Sequence, residues 1–128
     1  MKQILIICIS FVCLLVAISI YYHLSLSKQE NFKEADLKIM LFYATWCPHC
    51  ERYLQSGVFD TFDQKFSEKY NVRFIKYDYD KNKTIGDKYR VSGFPSIVAE
   101  DKSGMIMKFD GDRDSTDDME QFIKKALA

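Results

Sequence analysis

Charged residues are missing from one long stretch of the chain and are balanced in the rest of it. No Asp, Glu, Lys or Arg occurs between Gln3 and Ser27. Residues 28–128 carry 17 Lys and Arg against 18 Asp and Glu, a net charge near −1. This balance argues against a nucleic-acid-binding protein and against an acidic disordered tail. The chain also shows no internal repeat and no low-complexity tract, so its 128 residues predict one domain and little else.

The uncharged stretch is long enough to cross a membrane. Ile4–Tyr22 is apolar throughout except for two serines. As a helix, those residues extend roughly 28 Å, close to the ~30 Å hydrocarbon core of a bilayer. We therefore expect residues 1–26 to form a signal anchor that contacts the membrane through residues 4–22. Residues 27–36 are expected to be a linker or a short helix.

A cleavable secretion signal is the alternative interpretation of this stretch. The apolar run is longer than the ~7–15 residues usual for such a signal, which favours the anchor. Small residues at Ser25 and Ser27, however, have the spacing that a signal peptidase accepts. Lys2 and the terminal amine flank the inner end, so either interpretation puts the remainder on the non-cytoplasmic side. That side is the periplasm, the cell exterior or the endoplasmic reticulum lumen.

Cysteine is scarce outside the apolar stretch. Cys8 and Cys13 lie within it and are expected to serve as small apolar residues. Only Cys47 and Cys50 remain, which excludes a framework of structural disulfides. A disulfide across a two-residue gap closes too small a loop to constrain the unfolded chain much. In an oxidising compartment, such a lone pair indicates chemistry rather than a structural staple.

The two cysteines lie where a strand is expected to lead into a helix. Residues 38–43 form a short apolar, aromatic-rich run typical of a buried strand. After Glu51, apolar residues recur at about every fourth position, as on one face of a helix. Cys47 would then lie near the helix N-terminus, where unpaired N–H groups and the helix dipole stabilise a thiolate. The spacing suits a redox pair, and it also suits half of a soft-metal site.

The same periodicities divide the rest of the chain into strands and helices. The expected strands are 37–43, 72–77 (parallel to the first), 96–100 and 105–110, and the last two form a hairpin. A helix is expected from 47; it should break at 56–57, be capped again at 60–63 and run to about 70. A turn at 80–83, a helix at 84–89 and a helix from 115 complete the prediction. This order predicts an α/β domain over residues 37–128, with a mixed sheet of about four strands and helices on both faces.

Three motifs in this order resemble the thioredoxin superfamily over about residues 30–128. They are residues 42–50 (Phe-Tyr-Ala-Thr-Trp-Cys-Pro-His-Cys), residues 93–96 (Gly-Phe-Pro-Ser) and residues 109–113 (Phe-Asp-Gly-Asp-Arg). The first and third look most like a protein disulfide isomerase catalytic domain. The Cys-Pro-His-Cys centre is more similar to the bacterial periplasmic disulfide oxidants. The resemblance implies a thioredoxin fold and a thiol–disulfide oxidoreductase.

The resemblance also assigns roles to individual residues. Cys47 would be the exposed nucleophile and Cys50 the buried resolving thiol, and together they would form the redox-active disulfide. Pro95 would follow a cis peptide bond, where it and Phe94 would lie beside the cysteines and pair with an extended substrate strand. Trp46 would pack against the active-site turn.

Further residues are expected to tune the pair. Pro48 and His49 separate the cysteines, and His49, if protonated, would stabilise the Cys47 thiolate. Many relatives keep a buried carboxylate on the central strand, but this chain has Leu41 in that place. Lys76 falls near a lysine that relatives hold beneath the active site, and is a candidate to assist deprotonation of the resolving thiol. The family's usual opening strand is expected to be missing or shortened.

Together these features favour an oxidase-like or isomerase-like enzyme. Its expected partners are cysteine-containing exported proteins and an unidentified redox partner, with no cofactor, no metal and no nucleic acid. A membrane-tethered reductase uses the same residues and differs only in potential and electron donor. Two alternative functions belong to other classes of protein. One is a copper or zinc delivery protein that uses Cys47, His49 and Cys50, and the other is a redox-inert domain that binds unfolded chains.

Overall fold

The computed structural model describes residues 1–27 and 34–128, which divide into two units, Met1–Glu34 and Ala35–Ala128. Most of the linker expected at residues 27–36 lies outside the described residues. The first unit consists of one helix, α1 (Lys2–Ser27). Its segment Lys2–Tyr22 is long and apolar enough to cross a membrane, a test that a signal sequence near the N-terminus also passes.

The second unit is a sheet with helices packed on it. Its elements are β1 (Leu37–Tyr43), α2 (Pro48–Ser56), α3 (Val58–Tyr70), β2 (Val72–Asp78), α4 (Lys83–Lys88), β3 (Ser96–Asp101), β4 (Ile106–Lys108) and α5 (Thr116–Leu127). The strands lie in the order β2-β1-β3-β4. Strand β1 pairs parallel with β2 and antiparallel with β3, and β3 pairs antiparallel with β4. The predicted mixed four-stranded sheet is therefore confirmed.

Strand β1 is the centre of the unit because both of its faces are buried. Successive strand residues point to opposite faces of a sheet. Leu37, Ile39 and Leu41 accordingly pack in one cluster with α2, α3 and α5. Met40 and Phe42 pack in a second cluster, which includes residues from β3 and from α4 and the segment after it. Helices thus cover both faces, as predicted, and the carboxyl end of β1 is a rigid base for the residues that follow.

Two predicted elements have wrong boundaries. Helix α3 starts at Val58 and is not capped again at residues 60–63, because Gly57 closes α2 and starts α3 at once. Gly57 has φ of 69°, and its carbonyl accepts a bond of 3.0 Å from the N–H of Thr61. Strand β4 is shorter than residues 105–110 at both ends. At its start, Met105 belongs to the turn, where its N–H donates to the Asp101 carboxylate at 2.8 Å.

Other boundaries differ from the expected ones by a single residue. Strands β2 and β3 each run one residue further, and α4 begins and ends one residue earlier. Strand β1 has the expected bounds, and within residues 1–27 and 34–128 it is the first strand of the chain.

The break at Gly57 can be tested by Gly57→Ala. No atom lies within 4 Å of a Cβ placed there, so the cost comes from the left-handed backbone alone. We expect the substitution to lower the free energy of unfolding by about 1–2 kcal/mol, measured by urea denaturation followed by circular dichroism. The control is Gly57→Asn, because asparagine adopts this conformation more readily and should cost less. An Ala variant as stable as the wild type would contradict this origin of the break.

Candidate active site

The Cys-x-x-Cys motif begins where β1 ends and α2 starts. Cys47 is the N-cap of α2, with an extended backbone at φ −94° and ψ 113°. Its N–H donates to the Ala44 carbonyl at 3.2 Å, and its carbonyl accepts from the Glu51 N–H at 3.1 Å. Pro48 occupies the first turn, where a missing N–H costs nothing and a fixed φ suits the helix. The local sequence therefore places Cys47 directly at the helix N-terminus, as predicted.

The two sulfurs lie in one apolar cluster, within hydrogen-bond reach of each other. Cys50 is fully buried and Cys47 is 9% exposed. Both pack with Ala44, while Tyr43 and Phe94 cover the cluster from outside. The expectation of an exposed Cys47 is therefore corrected: it is the more accessible of the pair, but neighbouring side chains cover most of it. The two thiols are not joined by a disulfide here.

Hydrogen bonds to the Cys47 sulfur stabilise its thiolate. The Cys50 thiol and backbone N–H both donate to it, and these bonds hold the pKa of Cys47 below its usual value. The backbone N–H of His49 and the positive charge of Arg52 lower this pKa further, while partial burial opposes them. A thiolate at this position is the nucleophilic form in thiol–disulfide exchange.

Cys50 has the opposite properties. Burial raises the pKa of Cys50 to about 11, and the bond it donates to Cys47 and the charge of a Cys47 thiolate add to the increase. A backbone bond from Ala44 and the field of the Arg113 guanidinium act in the other direction. Leu41, at the position where relatives have a carboxylate, is fully buried and offers no base. The pair therefore consists of one easily ionised sulfur and one that stays protonated at neutral pH.

Arg52 places a positive charge near Cys47. The side chains of Arg52 and His49 are both exposed, and the Arg52 guanidinium lies 2.7 Å from Nδ1 of His49. An arginine nitrogen can only donate, so this ring nitrogen is the acceptor of the hydrogen bond. That His49, if protonated, stabilises the Cys47 thiolate stays a prediction. Arg52 was not among the predicted residues, because nothing in its spacing from the cysteines indicated this contact.

The loop before β3 completes the site. The Phe94–Pro95 peptide bond is cis, as the resemblance predicted. The Cys47 thiol donates to the Phe94 carbonyl at a sulfur–oxygen distance of 3.9 Å. Trp46 contacts the Phe94 ring edge-to-face, with centroids 5.9 Å apart, and is 67% exposed. Trp46 therefore flanks the cysteines as a surface residue and does not belong to the core.

Arg113 is a site residue that the motif analysis quoted without assigning it a role. Its guanidinium donates to the Pro95 carbonyl at 2.6 Å, and its own carbonyl accepts from the Tyr53 hydroxyl at 3.1 Å. These bonds join α2, the cis-proline loop and the segment before α5. Between them lies an open cleft of about 540 Å³, whose lining includes His49 and Arg52. In the sequence, the signal that could have identified Arg113 as a site residue was its place at the end of the 109–113 motif.

Lys76 lies apart from these groups. Its ammonium forms an ion pair with the Asp60 carboxylate of α3, with a nitrogen–oxygen distance of 2.6 Å. Strand β2 is at the edge of the sheet, so this lysine is exposed. The predicted role in deprotonating Cys50 would require Lys76 to leave that ion pair. Arg113 is the cation that acts on Cys50 in this arrangement.

The described residues offer little to a metal ion. Within residues 1–27 and 34–128, no three or more His, Cys, Asp or Glu side chains form a group that could hold one. Near the cysteines, Nδ1 of His49 already accepts from Arg52. The arrangement suits Cys47 and Cys50 to act as a pair in dithiol–disulfide exchange, a reaction that needs no cofactor.

A dithiol at a helix N-terminus, facing a cis-proline loop at the end of a mixed sheet, defines a thioredoxin-fold redox domain. Comparison with known families agrees with this class. Residues 24–125 match the thioredoxin family, so the chain belongs to it.

Known relatives include protein disulfide-isomerases that are much longer than this chain. The chain is 34% identical over 76 residues to one from Schizosaccharomyces pombe, a match that covers 58% of this chain and 21% of that protein. It is 30% identical over 87 residues to one from Ricinus communis, covering 68% of this chain and 17% of that protein. The chain thus spans about a fifth of the length of the curated relatives it matches.

A solved structure supports the fold alone. The first thioredoxin domain of mouse protein disulfide-isomerase A4 superposes with a TM-score of 0.64 at 21% identity. The match covers 74% of this chain and 66% of that domain structure.

Replacing Arg52 with alanine should raise the pKa of Cys47, because the cation that favours its thiolate is removed. We expect the midpoint of Cys47 alkylation against pH to rise modestly, because an exposed guanidinium is screened by solvent and hydrogen bonds contribute more to the low pKa of Cys47. The measurement is iodoacetamide labelling of the reduced chain, with the Cys47 peptide quantified by mass spectrometry.

Two matched variants complete this experiment. Arg52→Lys keeps the charge and should stay near the wild-type midpoint. His49→Ala removes the ring but leaves the backbone N–H, and should shift the midpoint less than Arg52→Ala does. A larger shift for His49→Ala would mean that the imidazole, rather than the guanidinium, supplies the stabilising charge.

Proposed function

We propose that this protein is a disulfide oxidoreductase of exported proteins, with Cys47 and Cys50 as its redox-active disulfide and an oxidising or isomerising role. The single observation that carries the proposal is the asymmetry of the two sulfurs. Cys47 accepts hydrogen bonds at a helix N-terminus, whereas Cys50 lies fully buried one turn further along. The kinship with protein disulfide-isomerases supports the same chemistry.

Oxidation of a substrate would proceed by two exchanges. A substrate thiolate attacks Cys47 of the Cys47–Cys50 disulfide, a substrate–Cys47 bond forms, and Cys50 leaves and takes up a proton. A second substrate thiolate then attacks the substrate sulfur of that mixed disulfide, and Cys47 leaves as a thiolate. Two electrons pass from the substrate to the protein, whose thiols end reduced. A stabilised Cys47 thiolate favours this reduced product, which makes the protein the oxidant.

The high pKa of Cys50 affects what happens to the mixed disulfide. Reductive release of the substrate requires attack by the Cys50 thiolate. Burial, the main cause of the raised pKa of Cys50, persists in the mixed disulfide, so only a small fraction of Cys50 is ionised at pH 7. A thiol of the substrate itself therefore has time to attack first, which produces either an oxidised or a rearranged substrate. This supports an oxidase or isomerase over a reductase.

Cysteine-containing protein chains are the proposed substrates, and an unidentified redox partner would reoxidise the dithiol. Trp46, Phe94 and Pro95 border Cys47, and the cleft beside them is open to solvent. A peptide segment that lies against Phe94 would bring its sulfur to the covered Cys47. Pro48, at the start of α2, and His49, through its contact with Arg52, are proposed to tune the pair.

The proposed location is a single-pass membrane protein with its catalytic domain on the non-cytoplasmic side. The length and apolar composition of Lys2–Tyr22 support an anchor, and Lys2 supports the orientation. Release after cleavage near residues 25–27 remains the alternative. Both locations expose the dithiol to an oxidising compartment, where a disulfide-forming enzyme has substrates.

The reduction potential tests the direction of electron flow. We expect equilibration with a glutathione buffer to give a potential above thioredoxin's value of about −270 mV, because the Cys47 thiolate is stabilised. The reduced chain should also support refolding of scrambled ribonuclease, and Cys47→Ser should abolish that activity. A potential at or below thioredoxin's would instead support the tethered reductase. Stoichiometric copper or zinc that is lost in Cys47→Ser, without exchange activity, would support a metal-delivery protein.

A trapping experiment tests the substrates and the compartment. Cys50→Ala removes the resolving thiol, so mixed disulfides with Cys47 should accumulate in cells and disappear on reduction. The trapped chains should be exported proteins that contain cysteine, and the adducts should sediment with membranes if residues 2–22 anchor the protein. The control is a Cys47→Ser, Cys50→Ala double variant, which should trap nothing. A set of trapped proteins that is cytosolic throughout would contradict the proposed location.

A further inference from the structure

Tyr79 lies behind the cis-proline loop and is held at both of its ends. Its N–H donates to the Tyr43 carbonyl at the end of β1, at 2.8 Å. Its hydroxyl donates to the Asp87 carboxylate of α4, at 3.0 Å. Its ring packs on the Phe94 ring with a centroid distance of 4.8 Å. The sheet and α4 therefore both restrain a ring that supports Phe94.

Gly86 sets the distance between α4 and this ring. An ideal Cβ at Gly86 would lie 2.4 Å from Cε2 and 2.5 Å from Cδ2 of Tyr79. Any larger residue would therefore have to displace the ring. Glycine is otherwise a poor choice inside a helix, because it loses more conformational freedom than alanine on folding. The close approach of Tyr79 is a specific reason for glycine at this position.

Phe94 transmits this support to the reactive sulfur. Its ring packs on Tyr79 and also makes an edge-to-face contact with Trp46. Its carbonyl is the acceptor for the Cys47 thiol. Three aromatic rings thus run in a row from α4 to the entrance of the dithiol. Tyr79 is the member of this row that is tied to α4 by a hydrogen bond.

We propose that Tyr79, backed by Gly86, is a positioning residue that holds Phe94 and Trp46 in place beside Cys47. It acts through Phe94 and is not itself a catalytic residue. The effect on disulfide exchange rests on the proposed function, whereas the positioning of Trp46 does not.

The test uses the full chain, in which Trp46 is the only tryptophan and therefore the only source of tryptophan fluorescence. In Tyr79→Ala, and in Gly86→Ala, where the new methyl group displaces the ring, Phe94 loses its support. We expect faster acrylamide quenching and lower anisotropy of Trp46. We also expect a roughly two- to tenfold fall in kcat/KM for ribonuclease refolding, the range that loss of one aromatic pair produces. Tyr79→Phe keeps the ring and should restore both signals to near the wild-type values.

Tyr77→Ala is the matched control. Tyr77 lies on β2, two residues before Tyr79, and its ring stacks on Phe42 with a centroid distance of 5.4 Å. Its removal loosens the cluster against which Phe94 also packs but removes neither the Tyr79–Phe94 nor the Phe94–Trp46 ring contact, so Trp46 fluorescence and kcat/KM should change little. Wild-type quenching and kcat/KM in Tyr79→Ala would overturn the proposal, as would equal losses in Tyr77→Ala. If the wild-type chain shows no disulfide exchange, the proposed function fails, and the Trp46 signal still decides the role of Tyr79.

Discussion

The start of helix α2 is the constraint on which the site depends. Because Cys47 is the N-cap, free N–H groups of the first turn point at its sulfur and favour its negative charge. The residue one turn further on must then lie on the inner face of the same helix, where Cys50 is shielded from water. The position of the helix start therefore lowers the pKa of Cys47 and raises that of Cys50. Strand β1 fixes the position of this helix start, because both faces of the strand are packed.

The parts of this fold that could be predicted from sequence are those set by local patterns. The bounds of β1 followed from an apolar run, and the break near Gly57 followed from the poor helix propensity of glycine. The start of β4 did not follow, because Met105 belongs to a turn in which its N–H donates to the Asp101 carboxylate. The site shows the same division. The cysteines and the cis-proline are local motifs, whereas the contacts of Tyr79 with Phe94 and Gly86 exist only in the folded chain.

The pair of basic residues near Cys47 shows why motif chemistry alone is insufficient. A histidine between two cysteines suggests a cation that stabilises a thiolate. In the folded chain, however, Arg52 lies on the same helix face three residues later and donates to that histidine. The positive charge that lowers the pKa of Cys47 is that of this arginine. The charge near the sulfur is retained, but it is carried by a residue whose ionisation does not vary with physiological pH.

Leu41 and Arg113 together define how this site handles the proton of Cys50. A carboxylate on the central strand would accept that proton, but it would be costly to bury in the apolar cluster where Leu41 packs. The leucine strengthens the core and leaves Cys50 without a nearby base at that position. The compensating charge is Arg113, which is tied to the cis-proline loop through the Pro95 carbonyl. An arginine tied to the loop that borders the cleft therefore favours ionisation of Cys50, and under the proposed function the mixed disulfide and the substrate would meet the same few residues.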